Sequence, residues 1–376
     1  MADKGNGAVS GQKDLADWKL SPDWADWHWQ LAHRITRPEE AARLLGLPEG
    51  ALAGAAQAAE TYPMAVTPYY LSLIDAKDAN CPIRRMAIPD PAELNVTTDD
   101  IEDPSQEDSY SPLPAIIHRY PDRLLITGSL ECATYCRHCF RKRKVGGKRE
   151  NVSLADIRAG IAYIRENEAI RDVLISGGDP LMLNDDIIED IVRELREIPH
   201  VELIRIGTRT PVTMPQRISD ELLDRLKKYH PVWVNTHFNH PREFSPESER
   251  ALARLADAGF PLGNQSVLLK GINDNVDTMR ELIQLLVKNR VRPYYLYHCD
   301  YLPGLRHFRT PLSRGIELLE QLIGFTTGFA IPTYVIDAPG GGGKIPLAPD
   351  YFVKNAKDEI ILKNFEGTHY PVHVTE

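Results

Sequence analysis

The chain is 376 residues long, 43% hydrophobic and 26% charged, enough apolar content to bury a large core in one big α/β domain with extensions or in two domains. Its formal net charge of −9 excludes a general nucleic-acid binder, since neutralising phosphates requires a basic face. No apolar run approaches bilayer-spanning length and Met1–Asp14 lacks the apolar centre of a signal peptide, so the expectation is no membrane partner and a frayed N-terminal tail. With five cysteines, three of them in one short motif, there is no disulfide framework, and a reducing cytoplasm is expected.

In chain order, Trp18 to about Ile74 reads as helical, with Pro38-Glu39-Glu40 ahead of Ala41–Leu45 marking a helix start. Trp18, Trp24, Trp27 and Trp29 read as packing surface for a neighbouring element or subunit rather than as a binding platform. Residues 80–110 are rich in Pro, Asp and Glu without clear periodicity and read as an extended linker. From Leu124 the pattern alternates. Candidate strands are Leu124–Thr127, Asp172–Ser176, Glu202–Ile206, Val232–Thr236, Gln265–Leu269 and Pro293–Tyr297, with helical patterns near 153–166, 185–196, 218–229, 246–259, 276–289 and 312–324. Ser153 with Asp156, and Ser219 with Asp220 and Glu221, supply helix caps. Six β-α units at this spacing imply a parallel sheet, and chemistry is expected at its C-terminal strand ends.

Cys132-Ala133-Thr134-Tyr135-Cys136-Arg137-His138-Cys139 follows the first of those strands and holds three of the five cysteines. Thiolates spaced C-x3-C-x2-C can converge on one inorganic centre, and three of them leave one iron of a four-iron cluster open to a small molecule. The alternative is a zinc site completed by His138, though that histidine is awkwardly placed to close a tetrahedron. The basic run Arg137–Arg149 abuts the loop and reads as serving small anions or solvent. Ser176-Gly177-Gly178-Asp179-Pro180 follows the second strand, where paired glycines either let the backbone approach a ligand or simply make a turn. Pro339-Gly340-Gly341-Gly342-Gly343-Lys344 ends four glycines, read as a mobile hinge, in an amine able to condense with an aldehyde. A phosphate loop is the competing reading, weakened because no Ser or Thr follows Lys344. Asp300 and Asp337 lie near strand ends, where a lone aspartate more commonly caps a turn. Cys81 and Cys299 read as core or strand-end residues.

The cysteine loop, with its flanks His118–Arg123 and Cys139–Arg143, resembles the signature of radical S-adenosylmethionine (radical SAM) enzymes of the lysine 2,3-aminomutase family. The resemblance runs from Trp24–Gln30 to Asn364–Gly367, and the glycine run before Lys344 sharpens it. It implies a partial (β/α)6 barrel over residues 111–326, a helical N-terminal region and linker over 1–110, and a C-terminal segment over 327–376 carrying the lysine for pyridoxal 5′-phosphate (PLP). By resemblance, Cys132, Cys136 and Cys139 hold a [4Fe-4S] cluster, Ser176, Gly177, Gly178 and Asp179 bind the methionine part of S-adenosylmethionine, and Lys344 anchors PLP. Tyr120, Arg123 and Gln265 would surround the PLP phosphate and ring, Arg141 would hold the substrate α-carboxylate, and Asp300 and Asp337 would grip a side-chain ammonium. Glutamate-specific members replace that acidic pair with lysine and asparagine, so both acids here imply a cationic substrate. The implied activity is a radical 1,2-migration of the α-amino group of L-lysine, fed by a flavodoxin- or ferredoxin-type electron donor, in a homo-oligomer. Alternatives are an aminomutase acting on arginine or supplying β-lysine for protein modification, and, from another class, a non-catalytic zinc- and phosphate-binding module. Clostridial members carry a zinc ligand after a Gly-Ile-Asn-Asp stretch; here Asn275 follows Gly271–Asp274, and no structural zinc is expected.

Overall fold

The computed structural model describes residues 14–146, 152–356 and 359–372. The tail expectation for residues 1–13 and the Lys148–Arg149 end of the basic run fall outside them. Nine strands form one sheet in sequence order: β1 (Ile116–Tyr120), β2 (Arg123–Ser129), β3 (Asp172–Gly177), β4 (Leu203–Gly207), β5 (Val232–Thr236), β6 (Leu262–Leu268), β7 (Val291–His298), β8 (Thr333–Ala338) and β9 (Gly343–Leu347). Strands β2 to β8 run parallel, whereas β1 and β9 pair antiparallel at the two edges. The six expected strands are β2–β7, separated by helices Leu154–Glu166, Asp185–Arg196, Asp220–Leu226, Pro246–Asp257 and Val276–Lys288, with Leu312–Glu320 leading on to β8. The expected partial barrel of six parallel strands is thus present, extended by a seventh parallel strand and two antiparallel edges.

Side-chain alternation explains the layers. Val173 and Ile175 of β3 are fully buried, while Leu174 between them lines a cavity inside the sheet. Helix Asp185–Arg196 buries Ile188, Ile191, Val192 and Leu195, a helical i, i+3, i+4, i+7 stripe facing the sheet. Ser153 and Ser219 cap their helices as the sequence suggests, and Asn275 caps Val276–Lys288 by accepting the Thr278 amide at 2.9 Å.

The N-terminal region is helical only in pieces: Leu15–Lys19, Trp27–Ala32, Pro38–Leu44, Ala55–Thr61 and Pro68–Leu71. Proline opens two of these, and Gly46, Gly50 and Gly54 take left-handed backbone angles that end the intervening turns. Residues 80–110 contain a helix, Pro82–Ala87, and a single 3₁₀ turn at Pro91–Leu94. One apolar cluster runs from Ile35 to Tyr334, so the N-terminal pieces and the barrel share a core. A separate antiparallel sheet of β10 (Phe352–Ala356), β11 (Glu359–Lys363) and β12 (His369–Val372) follows, with Phe352 and Tyr370 exposed. No helix among the described residues is long and apolar enough to cross a membrane.

Candidate active site

The three cysteines sit on the loop leaving β2, and the N-terminal region holds that loop by its backbone. Arg34 donates to the Cys132 carbonyl at 2.7 Å, the Tyr135 amide to Ala65 O at 2.8 Å, and the Arg137 amide to Met86 O at 2.9 Å. Arg137 points away from the cysteines into a buried network: Nε to Glu93 Oε1 at 2.9 Å, Nη1 to Pro63 O at 2.9 Å, Nη2 to Tyr62 O at 3.1 Å. Burial alone would raise the Glu93 carboxyl, but hydrogen bonds and charge from Arg137 and Lys142 outweigh it and hold the group below its ordinary range. The basic run is thus not serving solvent at its start.

Burial, Asp179 and the other two cysteines push the Cys132 thiol well above its usual range, and burial raises Cys139 to about 12. Among the described residues no three His, Cys, Asp or Glu side chains converge as ligands of a single ion. His138 is buried with Nε2 3.2 Å from Asn239 Nδ2, apart from the role of a fourth zinc ligand. Three soft thiolates on one loop fit a four-iron cluster with one open iron.

The glycine loop after β3 lies directly against the cysteine loop. Gly177 has φ +114°, and a Cβ on Gly178 would fall 2.6 Å from Glu131 O and 3.1 Å from Cys132 Sγ, so only glycine fits there. Asp179 closes this loop. Its carboxylate is buried and already accepts from Leu181 N at 3.0 Å, Arg209 N at 2.8 Å and Thr208 Oγ1 at 2.8 and 2.9 Å. Desolvation pushes it up to about 6. Its side chain organises the next loop, and what Ser176–Gly178 offers a ligand is close backbone access.

A cavity of about 440 Å³ runs inside the barrel. Its wall includes Tyr120, Arg123, Gln265, Arg141, Asp337 and Lys344, bringing together six residues singled out from the sequence. Lys344 Nζ lies 3.5 Å from Asp337 Oδ1 and 5.4 Å from the Tyr297 ring centre. The Lys344 amide donates to the Tyr120 hydroxyl at 3.1 Å, and Arg119 donates from Nε to Gly341 O at 3.0 Å. The edge strands β1 and β9 are therefore joined by side chains across a seam that carries no ladder. Arg123 supplies positive charge for a phosphate and Tyr297 a flat face, while Arg119 Nη1 lies 3.5 Å from Asp337 Oδ1, so the wall fits PLP near Lys344.

The glycine run is not loose. Gly340, Gly341 and Gly343 have φ of +75°, +78° and +86°, and a Cβ on Gly341 would meet Tyr110 Cε2 at 2.7 Å. Conformation and close approach both require glycine here. Asp300, outside the cavity lining, is raised to about 7 by burial and then by the charge of Asp337, with Lys344 acting in the opposite direction. The two aspartates and Lys344 thus form one electrostatic unit.

Sequence reasoning missed Arg119, Tyr297 and Glu107. Arg119 lies inside the quoted His118–Arg123 stretch, and Tyr297 ends a predicted strand facing inward. Glu107 sits in the supposed linker yet is buried against Arg141 at 2.7 Å.

The comparisons with known proteins fall on the same elements. A family model described as lysine-2,3-aminomutase matches residues 319–372, and one described as the radical SAM superfamily matches 127–286. The L-lysine 2,3-aminomutase of Clostridium subterminale is 54% identical over 355 residues, covering 94% of this chain and 84% of that protein. That of Bacillus subtilis is 50% identical, covering 96% and 77%. The glutamate 2,3-aminomutase of Clostridioides difficile is 49% identical, covering 92% and 82%.

Proposed function

The chain belongs to the lysine 2,3-aminomutase family, and on that premise we propose that it is an isomerase moving the α-amino group of L-lysine to the β-carbon. The observation that carries the choice of lysine is the pair of carboxylates Asp300 and Asp337 beside Lys344, since identity alone leaves a glutamate enzyme nearly as similar as the lysine ones. The cofactors are a [4Fe-4S] cluster, S-adenosylmethionine and PLP; together they supply a hydrogen-abstracting radical and an electron sink for the migrating nitrogen.

Cys132, Cys136 and Cys139 hold the cluster, and Ser176, Gly177 and Gly178 bring backbone polar groups to the S-adenosylmethionine beside it. Lys344 presents its amine to the PLP aldehyde, while Arg119, Tyr120, Arg123 and Gln265 seat the rest of that cofactor. Arg141 takes the α-carboxylate of lysine, and Asp300 with Asp337 takes its ε-ammonium. The ligand-free protein supports this last role, because Lys344 itself places an ammonium 3.5 Å from Asp337. A substrate ammonium in the same neighbourhood meets the same charge. The barrel wall excludes water from the reacting atoms. Labour is divided along the described chain: the N-terminal pieces brace the cluster loop, β1–β7 form most of the barrel, and β8 with β9 completes it and delivers the anchor lysine. The reading carries with it a cytoplasmic location, a flavodoxin- or ferredoxin-type electron donor and a homo-oligomer, for which exposed Phe325, Phe329, Phe352 and Phe365 offer apolar surface.

Product analysis after anaerobic incubation of reconstituted enzyme with lysine, arginine, glutamate or alanine tests the proposal. β-Lysine should dominate. Asp337→Asn should lower lysine use by orders of magnitude and leave alanine use nearly unchanged, since losing one partner of a buried charge costs about 3–5 kcal/mol and each ~1.4 kcal/mol is tenfold. A wild-type preference for glutamate would overturn the substrate, and equal loss for lysine and alanine would reassign Asp337 to the cofactor.

A further inference from the structure

Residues 103–111, between the N-terminal pieces and β1, form a turn whose acids face the basic stretch after the cysteines. Arg143 pairs with Asp103 at 2.8 Å and Asp108 at 2.9 Å, and Lys144 pairs with Asp108 at 2.9 Å and Glu107 at 3.2 Å. The expectation that this basic run serves small anions or solvent is therefore corrected for Arg143 and Lys144, which serve protein acids instead. Asp108 stays exposed, but Glu107 is 6% exposed and lines the barrel cavity together with Arg141.

The contact between those two is directional. Glu107 Oε1 accepts from Arg141 Nε at 2.8 Å and lies 2.7 Å from its Nη2, occupying one of the two flat edges of the guanidinium. Arg141 Nη1 donates to Gly177 O at 3.1 Å. Of the five guanidinium N–H donors, these contacts leave one on Nη1 and one on Nη2. Glu107 is itself fixed from behind: Oε2 accepts from Lys144, its amide donates to Asp103 Oδ1 at 3.1 Å, and its carbonyl accepts from Ser111 Oγ at 2.6 Å. Burial would raise the Glu107 carboxyl, yet the charges and hydrogen bonds of Arg141 and Lys144 hold it below its ordinary range.

We propose that Glu107 is a positioning residue for substrate recognition: it grips one edge of Arg141 so that the other edge is presented to the α-carboxylate of the amino acid. This rests on the reading that Arg141 takes that carboxylate. A lone arginine has several rotatable bonds, and freezing them on binding would weaken affinity; here Glu107 freezes them beforehand. With Arg141 fixed near the glycine loop and the acidic pair fixed beside Lys344, the protein measures the span between the carboxylate and the side-chain ammonium of its substrate. The supposed linker thereby sets substrate length without touching substrate.

The test uses the reconstituted holoenzyme. Wild-type turnover of lysine is established first, and its absence sinks the function proposed above rather than the role of Glu107. Glu107→Ala should raise KM for lysine about tenfold or more, with kcat within about threefold, because Arg141 loses its orienting partner. Glu107→Gln keeps an acceptor at the same place and should restore KM to within about threefold of wild type. In an Arg141→Met background, Glu107→Ala should add no further rise in KM. Should Glu107→Ala fail to fold, Glu107→Asp withdraws the acceptor by one methylene while keeping the charge, and must raise KM with kcat preserved. Losses in kcat with unchanged KM, no rescue by Gln, full additivity with Arg141→Met, or an unchanged KM in Glu107→Asp would each assign Glu107 to folding alone and overturn the proposal.

Discussion

The cysteine loop and the glycine strap both present a chemically active group to the same barrel, yet they are held in opposite ways. The loop is clamped by three N-terminal contacts to its backbone and, behind it, by a buried cluster in which Glu93 bridges Arg137 and Lys142. The strap of residues 339–344 joins the β8 ladder at Gly343 and Lys344 and, among the described residues, meets the β1 edge through Arg119 and Tyr120 at two hydrogen bonds. A metal cluster must keep one geometry through an electron transfer, whereas an anchor lysine has to leave its cofactor and return. Deep charge burial suits the first task, and a few side-chain contacts over left-handed glycines suit the second.

The largest effect that separates the two is expected from Cys136→Ala, which should abolish S-adenosylmethionine cleavage and lower cluster iron while PLP still loads on Lys344. Cleavage persisting with iron undiminished would break the assignment of the loop. Next comes Glu93→Ala. Leaving Arg137 and Lys142 buried without a counter-charge should cost about 3–5 kcal/mol of stability, visible as a lower denaturation midpoint and poorer cluster loading. An unchanged midpoint would mean that the loop is not held from behind.

On the strap side, Gly341→Ala puts a Cβ into the Tyr110 ring at a backbone angle that L residues rarely adopt. The strain is on the order of 1–2 kcal/mol, confined to the strap. PLP occupancy, read from its lysine-bound absorbance, should fall, whereas the global unfolding midpoint should move by only a few degrees. A large drop in that midpoint would mean that strap and loop share their stability.

The smallest effect is in pH. Burial and Asp337 raise Asp300 to about 7, so below that pH it is increasingly protonated and unable to counter an ammonium. Lysine kcat/KM should therefore fall as pH drops below about 7, and Asp300→Asn should be flatter over the same range. An identical slope in the variant would place the titration elsewhere.

The sequence made the repetitive part legible. Strands β2–β7 are short apolar runs followed by amphipathic helices with serine caps, so local pattern and fold agree. Strand β1 was missed because Ile116-Ile117-His118-Arg119-Tyr120 mixes apolar and polar residues at a sheet edge, and β9 because half of it is glycine, lysine and proline. The N-terminal region reads as helical with a start at Pro38, but Pro22 and Pro68 also each begin a short element, so the helix comes in pieces. Within the site, ligating cysteines, paired aspartates and the lysine were legible because their chemistry is carried by residue type. Glu107 was not. Its acidic neighbours looked like a solvated run, and its partner lies 34 residues downstream. Matching that acidic run against the basic run after the cysteines was the one available signal.

The seam between β1 and β9 has a further consequence for how this protein behaves in concentrated solution. An unpaired strand edge is a template for a strand from another molecule, and most sheets blunt such edges with charge, bulges or cover. Here the cover is Arg119 and Tyr120, side chains also placed on the cofactor cavity. Replacing Arg119 or Tyr120 would therefore open the seam and disturb the cavity wall together, so precipitation of such a variant would bear on the site as much as a loss of activity.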